Sequence, residues 1–451
     1  MEADISTWHK TGHFYSALTA YRAGHQFHFW YHAHARRGDL LLFSAHVLPI
    51  YIYIFYALVL LQIAQGCVSL WSGIGWFRMV RESLEKHAGF YAPQVAVICP
   101  CKGEELGLEE NLTALARFDY PNYELFIAVA SNSDLAMRII ARVQTGTKLR
   151  IHTIIAGAPE KNSEKVHNLT KAIEAIPEKF DVFVFTDSDV RLGRNWLAKL
   201  VAPLGDPRIG AASTYRWMFP TPRTGKSSLA GAVASAWNAA VVTLLGTPAR
   251  NFCWGGGTAI KRYKFLEINV LGFWEGSVSD DWSMTAALRR ANEEILFVPE
   301  CLAPCPIAVT WSEMLEFTTR QLKITRVYDR GTWNKAALAH LSYCVTALYA
   351  TVVILMETIY GEPWIQLALV AIIVPLLAAA KGALRCVAVS DILPEWKKAL
   401  GDWSWACVVL PPFVPFLVAC NILGSIASRK ICWRGIRYEL ISSNQTRILG
   451  R

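Results

Sequence analysis

Charge is the scarcest property of this sequence. Only 18% of its 451 residues are Asp, Glu, Lys or Arg, whereas 53% are hydrophobic. None of these four residue types occurs between Asp39 and Arg78, and charge is sparse again from Lys335 to Ser428. Such an apolar composition is unusual for a soluble protein and indicates membrane segments. Residues 80–335 carry ordinary globular charge, so we expect a globular domain set between membrane parts.

Long basic runs are also missing, although the net charge is +9. We therefore predict no nucleic-acid partner. The clearest basic cluster, residues 428–440, follows an apolar segment, a pattern typical of the cytoplasmic side of a membrane. A plain topology signal and binding of anionic lipid are both compatible with it.

The 11 cysteines are scattered, and the pairs Cys99/Cys101 and Cys301/Cys305 lack nearby ligands at zinc spacing. We expect no disulfide framework and a reducing, cytosolic setting for the globular domain. We also expect no cleavable signal peptide, because the first apolar segment begins only after about forty residues.

Four apolar segments reach the length of about 20 residues that a membrane-spanning helix needs. They are residues 43–70, 338–360, 363–383 and 404–426. The last contains Pro411, Pro412 and Pro415, which break helices. If it crosses, the basic tail lies outside, against the positive-inside rule, so a re-entrant hairpin is the alternative.

These features divide the chain into six parts. They are an interfacial N-terminal segment (1–39), a transmembrane helix (40–77), the globular domain (78–310), an amphipathic interface helix (311–335), transmembrane or re-entrant helices (336–428) and a basic cytoplasmic tail (429–451). A metal-binding role for the histidines of the first part is the alternative to an interfacial one.

Short β-branched and aromatic runs alternate with helical patterns through the globular domain. The runs are residues 94–100, 123–130, 149–155 and 181–187, and the helical patterns are residues 107–117, 133–145 and 163–176. This spacing predicts an α/β fold with a mostly parallel sheet covered on both faces. Such sheets bind ligands outside the carboxyl ends of their strands.

Two carboxylates, Asp187 and Asp189, follow directly on an apolar strand in VFVFTDSDVRLG, residues 182–193. Neighbouring carboxylates repel unless a cation lies between them. Mg²⁺ takes oxygen ligands and usually completes its shell with phosphate oxygens. The pattern favours a metal–diphosphate site, and a turn that caps the helix near Asn195 is the alternative.

A second pair, Asp280 and Asp281, precedes a helical pattern in EGSVSDDWSMTAALRRA, residues 275–291. A carboxylate here that faces the crevice would take a proton from an incoming hydroxyl. Ordinary capping of the helix is the alternative.

Three glycines, Gly255 to Gly257, follow Trp254 in NFCWGGGTAIKR, residues 251–262. They allow the backbone to approach a ligand closely or to adopt a positive φ. A tight turn before a strand would need them equally.

Cations recur at helical spacing in WSEMLEFTTRQLKITRVYDRGTW, residues 311–333. They are Arg320, Lys323, Arg326 and Arg330. A basic amphipathic helix just before an apolar segment is predicted to lie in the membrane interface.

These four elements, in this order, resemble membrane-bound family-2 glycosyltransferases with the GT-A fold, and most of all their ceramide glucosyltransferase branch. CPCKGEELGLEENLTALARFDYPNYELFIAVA (99–130) and EKVHNL (164–169) are similar to conserved segments of that branch, and WRGIRYEL (433–440) looks like the tail of bacterial relatives. The resemblance extends from about Val95 to the tail.

The resemblance implies roles for individual residues. Pro100 and Lys102 would border the uridine, Asp134 or Ser131 would replace the first family aspartate, and Lys165, Gly256, Gly257, Arg320 and Lys323 would also bind substrate. Asp189 with Asp187 would hold Mg²⁺ or Mn²⁺, and Asp281 would be the base, with Asp280 beside it.

The last family motif, Arg/Gln-x-x-Arg-Trp, is incomplete here. Arg320 matches its first position, but Lys323 stands for Arg and Ile324 for Trp. Lysine lacks the bidentate fork that arginine offers to phosphate, and isoleucine cannot stack on a sugar ring. The identity of the sugar donor or of the acceptor therefore stays open.

The resemblance implies inverting transfer of a sugar from a UDP-sugar to the hydroxyl group of a membrane lipid. Glucose is the expected sugar, and ceramide is the expected lipid. The protein would be a multi-pass membrane protein with a cytoplasmic catalytic domain. A hopanoid, a diacylglycerol or a polyprenyl phosphate as acceptor, a polysaccharide synthase, and a non-catalytic membrane protein are the alternatives.

Overall fold

The computed structural model describes residues 49–85, 89, 91–360 and 364–450. Internal contacts divide the chain into two units, residues 1–54 and 55–451, and the second contains the architecture below except residues 50–54 of the first helix. The predicted interfacial segment 1–39 and the short link at residues 361–363 lie outside the described residues.

A seven-stranded sheet forms the centre of the globular domain. Its strands are β1 (Val95–Pro100), β2 (Tyr123–Val129), β3 (Ile151–Ile155), β4 (Val182–Phe185), β5 (Ile209–Ser213), β7 (Thr258–Lys261) and β8 (Glu294–Phe297). The spatial order is β3-β2-β1-β4-β7-β5-β8. Only β7 is antiparallel to its neighbours, β4 and β5. The predicted mostly parallel α/β sheet is confirmed, with strand ends shifted by one to two residues.

Helices cover both faces of this sheet. They are α2 (Leu108–Leu115), α3 (Ala136–Thr145), α4 (Glu164–Ala175), α5 (Trp196–Val201), α7 (Arg262–Glu267), α8 (Val270–Trp274) and α9 (Asp280–Arg290). Alternate residues of β1 face opposite sides: Val97 packs with α2 and α3, and Ile98 packs with α4. Burial of both strand faces explains the continuous apolar runs in the sequence.

A smaller parallel pair, β6 (Arg216–Pro220) and β9 (Ala303–Ile307), lies beside α6 (Ser228–Val242). Helix α10 (Trp311–Tyr328) follows β9 and corresponds to most of the predicted interface helix. Its N-terminus has a capping box, in which the Thr310 hydroxyl accepts from the Glu313 amide and the Glu313 carboxylate accepts from the Thr310 amide.

Within the described ranges, three helical segments are long and apolar enough to cross a membrane. They are α1 (Ile50–Glu85), α11 (Arg330–Tyr360) and the pair α12 (Trp364–Ala371) and α13 (Ile373–Ile392). Their apolar side chains are largely exposed, for example Leu348 at 61% and Leu369 at 63%. These helices are compatible with the predicted membrane location.

The fourth predicted segment, residues 404–426, does not form one continuous helix. After α14 (Lys397–Asp402), the chain forms α15 (Ser404–Val409) and α16 (Val414–Ala427), separated by a turn at Pro411 and Pro412. The 14 residues of α16 extend over only about 21 Å at 1.5 Å per residue. The prolines therefore break the segment as their missing N–H groups predict.

The last residues form a three-stranded antiparallel sheet, which we call the C-terminal sheet. Its strands are β10 (Lys430–Trp433), β11 (Ile436–Ser442) and β12 (Gln445–Gly450). Tyr438 and Leu440 are buried against Val278 and Ile324 of the preceding domain. The sequence pattern predicts only a basic tail here, and the packing of this sheet is a feature of the tertiary structure.

Gly276→Ala is expected to loosen the C-terminal sheet. Gly276 has a φ of 70°, where a side chain costs about 1–2 kcal/mol. An added Cβ would also overlap the carbonyl oxygen of Asn444 in the turn between β11 and β12. We expect a lower unfolding temperature of the detergent-solubilised protein and faster tryptic cleavage after Arg437.

Gly225→Ala is the matched control, because Gly225 has a φ of 75° but an added Cβ there would meet no heavy atom within 4 Å. Equal shifts of unfolding temperature and cleavage rate in the two variants would contradict the packing.

Candidate active site

The site forms where β1 and β4 end side by side. The two strands are parallel neighbours, with Ile98 paired to Phe185. The residues at their ends therefore lie at the same edge of the sheet: Pro100 ends β1 and Lys102 follows it, and Asp187 and Asp189 follow β4. This is the edge at which parallel sheets bind ligands.

Lys165, near the start of α4, connects this edge to α9. Its ammonium lies 2.7 Å from Asp187 Oδ1 and 3.1 Å from Asp280 Oδ1. Burial lowers the pKa of Lys165, but the nearby carboxylates outweigh it, and the net pKa is raised. One cation thus holds an acidic residue from each of the two predicted carboxylate pairs.

The two carboxylates that contact Lys165 differ in their environment. Burial raises the pKa of Asp280 to about 7, because the Asp281 and Asp187 charges add to burial and Lys165 only partly compensates. Burial also raises the pKa of Asp187, but Lys165 outweighs it and the net pKa is lowered. The surroundings therefore favour the ionised form of Asp187 more strongly than that of Asp280.

Asp189 keeps an oxygen free for a ligand. Its Oδ1 atom is buried and has no hydrogen-bond partner within the part of the chain that the structure describes. An unpaired buried carboxylate oxygen is costly unless a cation or donor fills the position. Ser188, between the two aspartates, donates to Glu105 Oε2 at 2.5 Å and fixes the loop.

Asp281 is held through one of its oxygens. Asp281 Oδ1 accepts a short hydrogen bond from the Ser279 hydroxyl and one of 2.8 Å from the Trp282 amide. The described residues provide no hydrogen bond to Oδ2. Ser279 also caps α9 by accepting from the Trp282 amide. Ser279, and not one of the two aspartates, is therefore the helix cap, and Asp281 lines the cavity.

The turn at Gly255 to Gly257 allows the surrounding side chains of the site to pack closely against its backbone. A Cβ on Gly255 would overlap the Asp280 carboxylate and the Lys165 ammonium, and one on Gly256 would overlap the Trp254 ring. A Cβ on Gly257 would overlap the Thr214 side chain. The glycines thus serve close packing under the site, and none of the three has a positive φ.

A single cavity of about 1770 Å³ joins most of the predicted site residues. Eight of them line it: Pro100, Lys102, Lys165, Asp187, Asp189, Asp280, Asp281 and Arg320. Side chains of α1, α6, α10, α11, α13 and α16 line much of the rest of its wall; most of them are apolar, but Lys381 and Arg385 of α13 also line it. The cavity therefore joins charged residues at the sheet edge to a mostly apolar wall among helices.

Four predicted residues do not line this cavity: Gly256, Gly257, Asp134 and Lys323. Asp134 Oδ1 accepts from the Gly103 amide at 2.8 Å and from the Ala136 amide at 2.9 Å. It thereby fixes the loop after β1 and caps α3. Lys323 Nζ donates to the Lys430 carbonyl of β10 at 2.7 Å.

Arg216 and Arg434 are among the charged residues of the cavity wall that sequence reasoning missed. The Arg216 guanidinium lies 5.2 Å from the Phe317 ring centroid, and its buried Nε has no hydrogen-bond partner among the described residues. Arg434 forms an ion pair with Glu105. One sequence signal could have pointed to Arg434: an arginine precedes Gly435, where a tight turn would prefer asparagine.

The profile of the family described as Glycosyl transferase family 21 matches residues 54–446. The chain belongs to glycosyltransferase family 21. Family membership and the sheet topology together make it a nucleotide-sugar glycosyltransferase with a GT-A fold. The matched region of this family 21 enzyme includes the C-terminal sheet almost to its end.

Solved structures similar to this family 21 enzyme include a mannosyltransferase from Pyrobaculum calidifontis in complex with GDP-Man and Mn²⁺. It is 17% identical over 83% of this chain and 98% of its own, with a TM-score of 0.44. A glucosyl-3-phosphoglycerate synthase from Mycobacterium tuberculosis is 16% identical over 54% and 85%, with a TM-score of 0.35. No curated protein sequence matches the chain.

Lys165→Met is expected to destabilise the enzyme strongly. The variant leaves Asp187 and Asp280 without their shared cation, and removal of one partner from a buried ion pair costs about 3–5 kcal/mol. We expect a clear fall in the unfolding temperature, measured in detergent. Adding Asp280→Asn should recover part of the loss, because the amide needs no counter-charge.

Lys171→Met on the same helix is the matched control. Lys171 pairs with Glu174 at 2.7 Å on the surface, where ion pairs contribute about 0–1 kcal/mol. A Lys165 variant as stable as this control would refute the central role of the buried ammonium.

Proposed function

We propose that this enzyme transfers glucose, with inversion, from UDP-glucose to the hydroxyl group of ceramide in a membrane. The observation that carries the proposal is the single cavity that joins the carboxylates at the sheet edge to apolar helices. A water-soluble acceptor would need no such apolar extension, whereas a lipid acceptor needs both ends.

The apolar end is built from helices that are suited to a membrane. Trp76 and Met79 of α1, Ala240 of α6 and Val418 of α16 line it, and α1 is one of the three segments long and apolar enough to cross a bilayer. Membership of family 21 and the ceramide glucosyltransferase-like motifs support ceramide and glucose as the first substrates to test.

The donor end lies beside β1 and β4. Pro100 and Lys102 would border the uridine, as the family resemblance implies, and the diphosphate would lie against Asp187 and Asp189. Lys102 is held for this role by an ion pair of 3.0 Å with Glu164.

The residues present fit a divalent metal. The free, buried oxygen of Asp189 and the carboxylate of Asp187 are the hard oxygen ligands that Mg²⁺ and Mn²⁺ prefer. No cluster of three or more His, Cys, Asp or Glu ligands occurs in the described ranges, so phosphate oxygens and water would complete the shell. A bound metal would neutralise charge on the departing diphosphate.

Asp281 is the proposed general base. Its carboxylate removes the proton of the lipid hydroxyl while that oxygen attacks the anomeric carbon, on the face opposite the diphosphate. The bond from the anomeric carbon to the diphosphate oxygen breaks, and UDP leaves with the electron pair. Attack from the opposite face inverts the anomeric configuration. Asp280 holds Lys165 beside this base.

The direct test supplies purified enzyme with radiolabelled UDP-glucose, Mn²⁺ and ceramide. We expect label in the organic phase, and mass spectrometry of the labelled lipid identifies it. Asp281→Asn should lower the rate about 10²–10⁴-fold, because general-base catalysis contributes that much, without lowering the unfolding temperature. Asp206→Asn, at an exposed ion pair with Arg208, is the control.

Other outcomes of this assay decide against the proposal in different ways. Label on a hopanoid, a diacylglycerol or a polyprenyl phosphate, but not on ceramide, would replace the acceptor. Label in a water-soluble polymer would indicate a polysaccharide synthase. No transfer by wild type with any of these acceptors or with other UDP-sugars would refute the catalytic proposal.

Asp189→Asn is expected to weaken metal binding about tenfold or more, because an amide oxygen lacks the carboxylate charge. The readout is the Mn²⁺ dissociation constant in the presence of UDP, from the electron paramagnetic resonance of free Mn²⁺. Unchanged Mn²⁺ affinity in this variant, with Asp206→Asn as reference, would remove Asp189 from the metal site.

A further inference from the structure

The turn of the C-terminal sheet reaches the donor end of the cavity. Trp433, the last residue of β10, and Arg434, the first residue of the turn, both line the cavity. The Arg434 guanidinium forms an ion pair with Glu105 through Nη2 and donates from Nη1 to the Lys102 carbonyl at 3.3 Å. It therefore lies beside the loop after β1, which is the proposed nucleotide end.

The charge of Arg434 acts on the carboxylates that are proposed to face the diphosphate. Burial lowers the pKa of the Arg434 guanidinium, but Glu105, Asp189 and Asp187 raise it, and the net shift is upward. In return, Arg434 contributes to lowering the pKa of Asp187. A guanidinium in this position stays charged and has five N–H donors, of which the two named contacts use only part.

Helix α10 uses its incomplete family motif to hold this sheet in place. Arg320 Nη1 donates to the Cys432 carbonyl at 3.1 Å, and Lys323 Nζ donates to the Lys430 carbonyl at 2.7 Å. Ile324 is buried in the apolar cluster under the sheet. Lys323, at the family arginine position, thus contacts β10 and does not line the cavity, whereas Ile324, at the tryptophan position, packs under the sheet and also lines the cavity.

The turn places an arginine in a backbone conformation that arginine disfavours. Trp433 pairs with Ile436 across a two-residue loop, in which Arg434 has a φ of 50° and Gly435 a φ of 81°. Two positive φ values define a type I′ turn, whose preferred sequence is Asn-Gly. Arginine costs stability at this position, and strained residues of this kind cluster at functional sites.

We propose that Arg434 binds the diphosphate of the sugar donor and takes the place of the motif arginine that α10 lacks at Lys323. The inference deepens the proposed function and rests on its nucleotide-diphosphate donor. When the bond between the anomeric carbon and the diphosphate oxygen breaks, its electron pair moves onto the diphosphate. The N–H groups of Arg434 then donate to oxygens whose negative charge is growing.

Arg434→Asn preserves the turn, because asparagine is its preferred residue, but it removes the ion pair with Glu105. We expect these two effects to offset each other, so that the unfolding temperature stays close to that of wild type. Its affinity for UDP should fall about tenfold to hundredfold, as expected for loss of a charge-assisted contact, while its affinity for uridine stays unchanged. Isothermal titration calorimetry of the full-length, detergent-solubilised protein with Mn²⁺ measures both ligands.

Arg437→Asn is the matched control, because Arg437 is an exposed residue of β11 in the same sheet and should leave UDP affinity unchanged. Equal UDP affinity of wild type and Arg434→Asn would overturn the inference. A loss of uridine affinity in this variant as large as its loss of UDP affinity would also overturn it. Absence of UDP binding by wild type would overturn both the inference and the proposed donor. A selective loss of UDP affinity without any lipid labelling by wild type would uphold the inference and refute the lipid acceptor.

Lys323 is, by the same argument, a positioning residue that acts through Arg434. Lys323→Met should weaken UDP binding several-fold in wild type but have no further effect in the Arg434→Asn background. Independent, additive losses would show that Lys323 does not act through the turn.

Discussion

The arrangement of the site depends on one buried ammonium group. Lys165 Nζ lies between Asp187, at the end of β4, and Asp280, at the start of α9. Two acidic segments would repel each other at this distance without a cation between them. Gly255 makes the contact sterically accessible, because any side chain there would occupy the space of the ion pair. The sheet edge, the glycine turn and α9 are therefore brought together by a single electrostatic constraint.

This constraint assigns the acidic residues to two groups. Asp187 and Asp280 neutralise Lys165, whereas Asp189 and Asp281 each keep one oxygen without a hydrogen bond from the described residues. The free oxygen of Asp189 is buried at the proposed metal site, and Asp281 lines the cavity that would receive the proposed acceptor. Carboxylates that look equivalent in the sequence thus obtain different chemistry from their surroundings.

One cavity connects the globular domain with the apolar helices. Charged residues at the carboxyl ends of β1 and β4 line one part of it, and mostly apolar side chains of α1, α6 and α16 line another. The proposed lipid acceptor would meet the proposed sugar donor there without its chains entering water. The C-terminal sheet contributes Trp433 and Arg434 to the cavity wall, and Arg320 and Lys323 of α10 donate to backbone carbonyls of β10.

The sequence alone determined what depends on local pattern. The strands β1 to β4 and the helices between them follow from apolar periodicity, and their parallel order places Asp187 and Asp189 at the binding edge. The breaks at Pro411 and Pro412 follow from the missing N–H groups of proline. Only the tertiary structure decided that Lys165 joins the two acidic pairs and that Lys323 contacts β10. It also decided that Arg434 reaches the Lys102 loop, 332 positions away. No local pattern encodes such a contact, because it arises when the buried faces of the C-terminal sheet and the globular domain pack together.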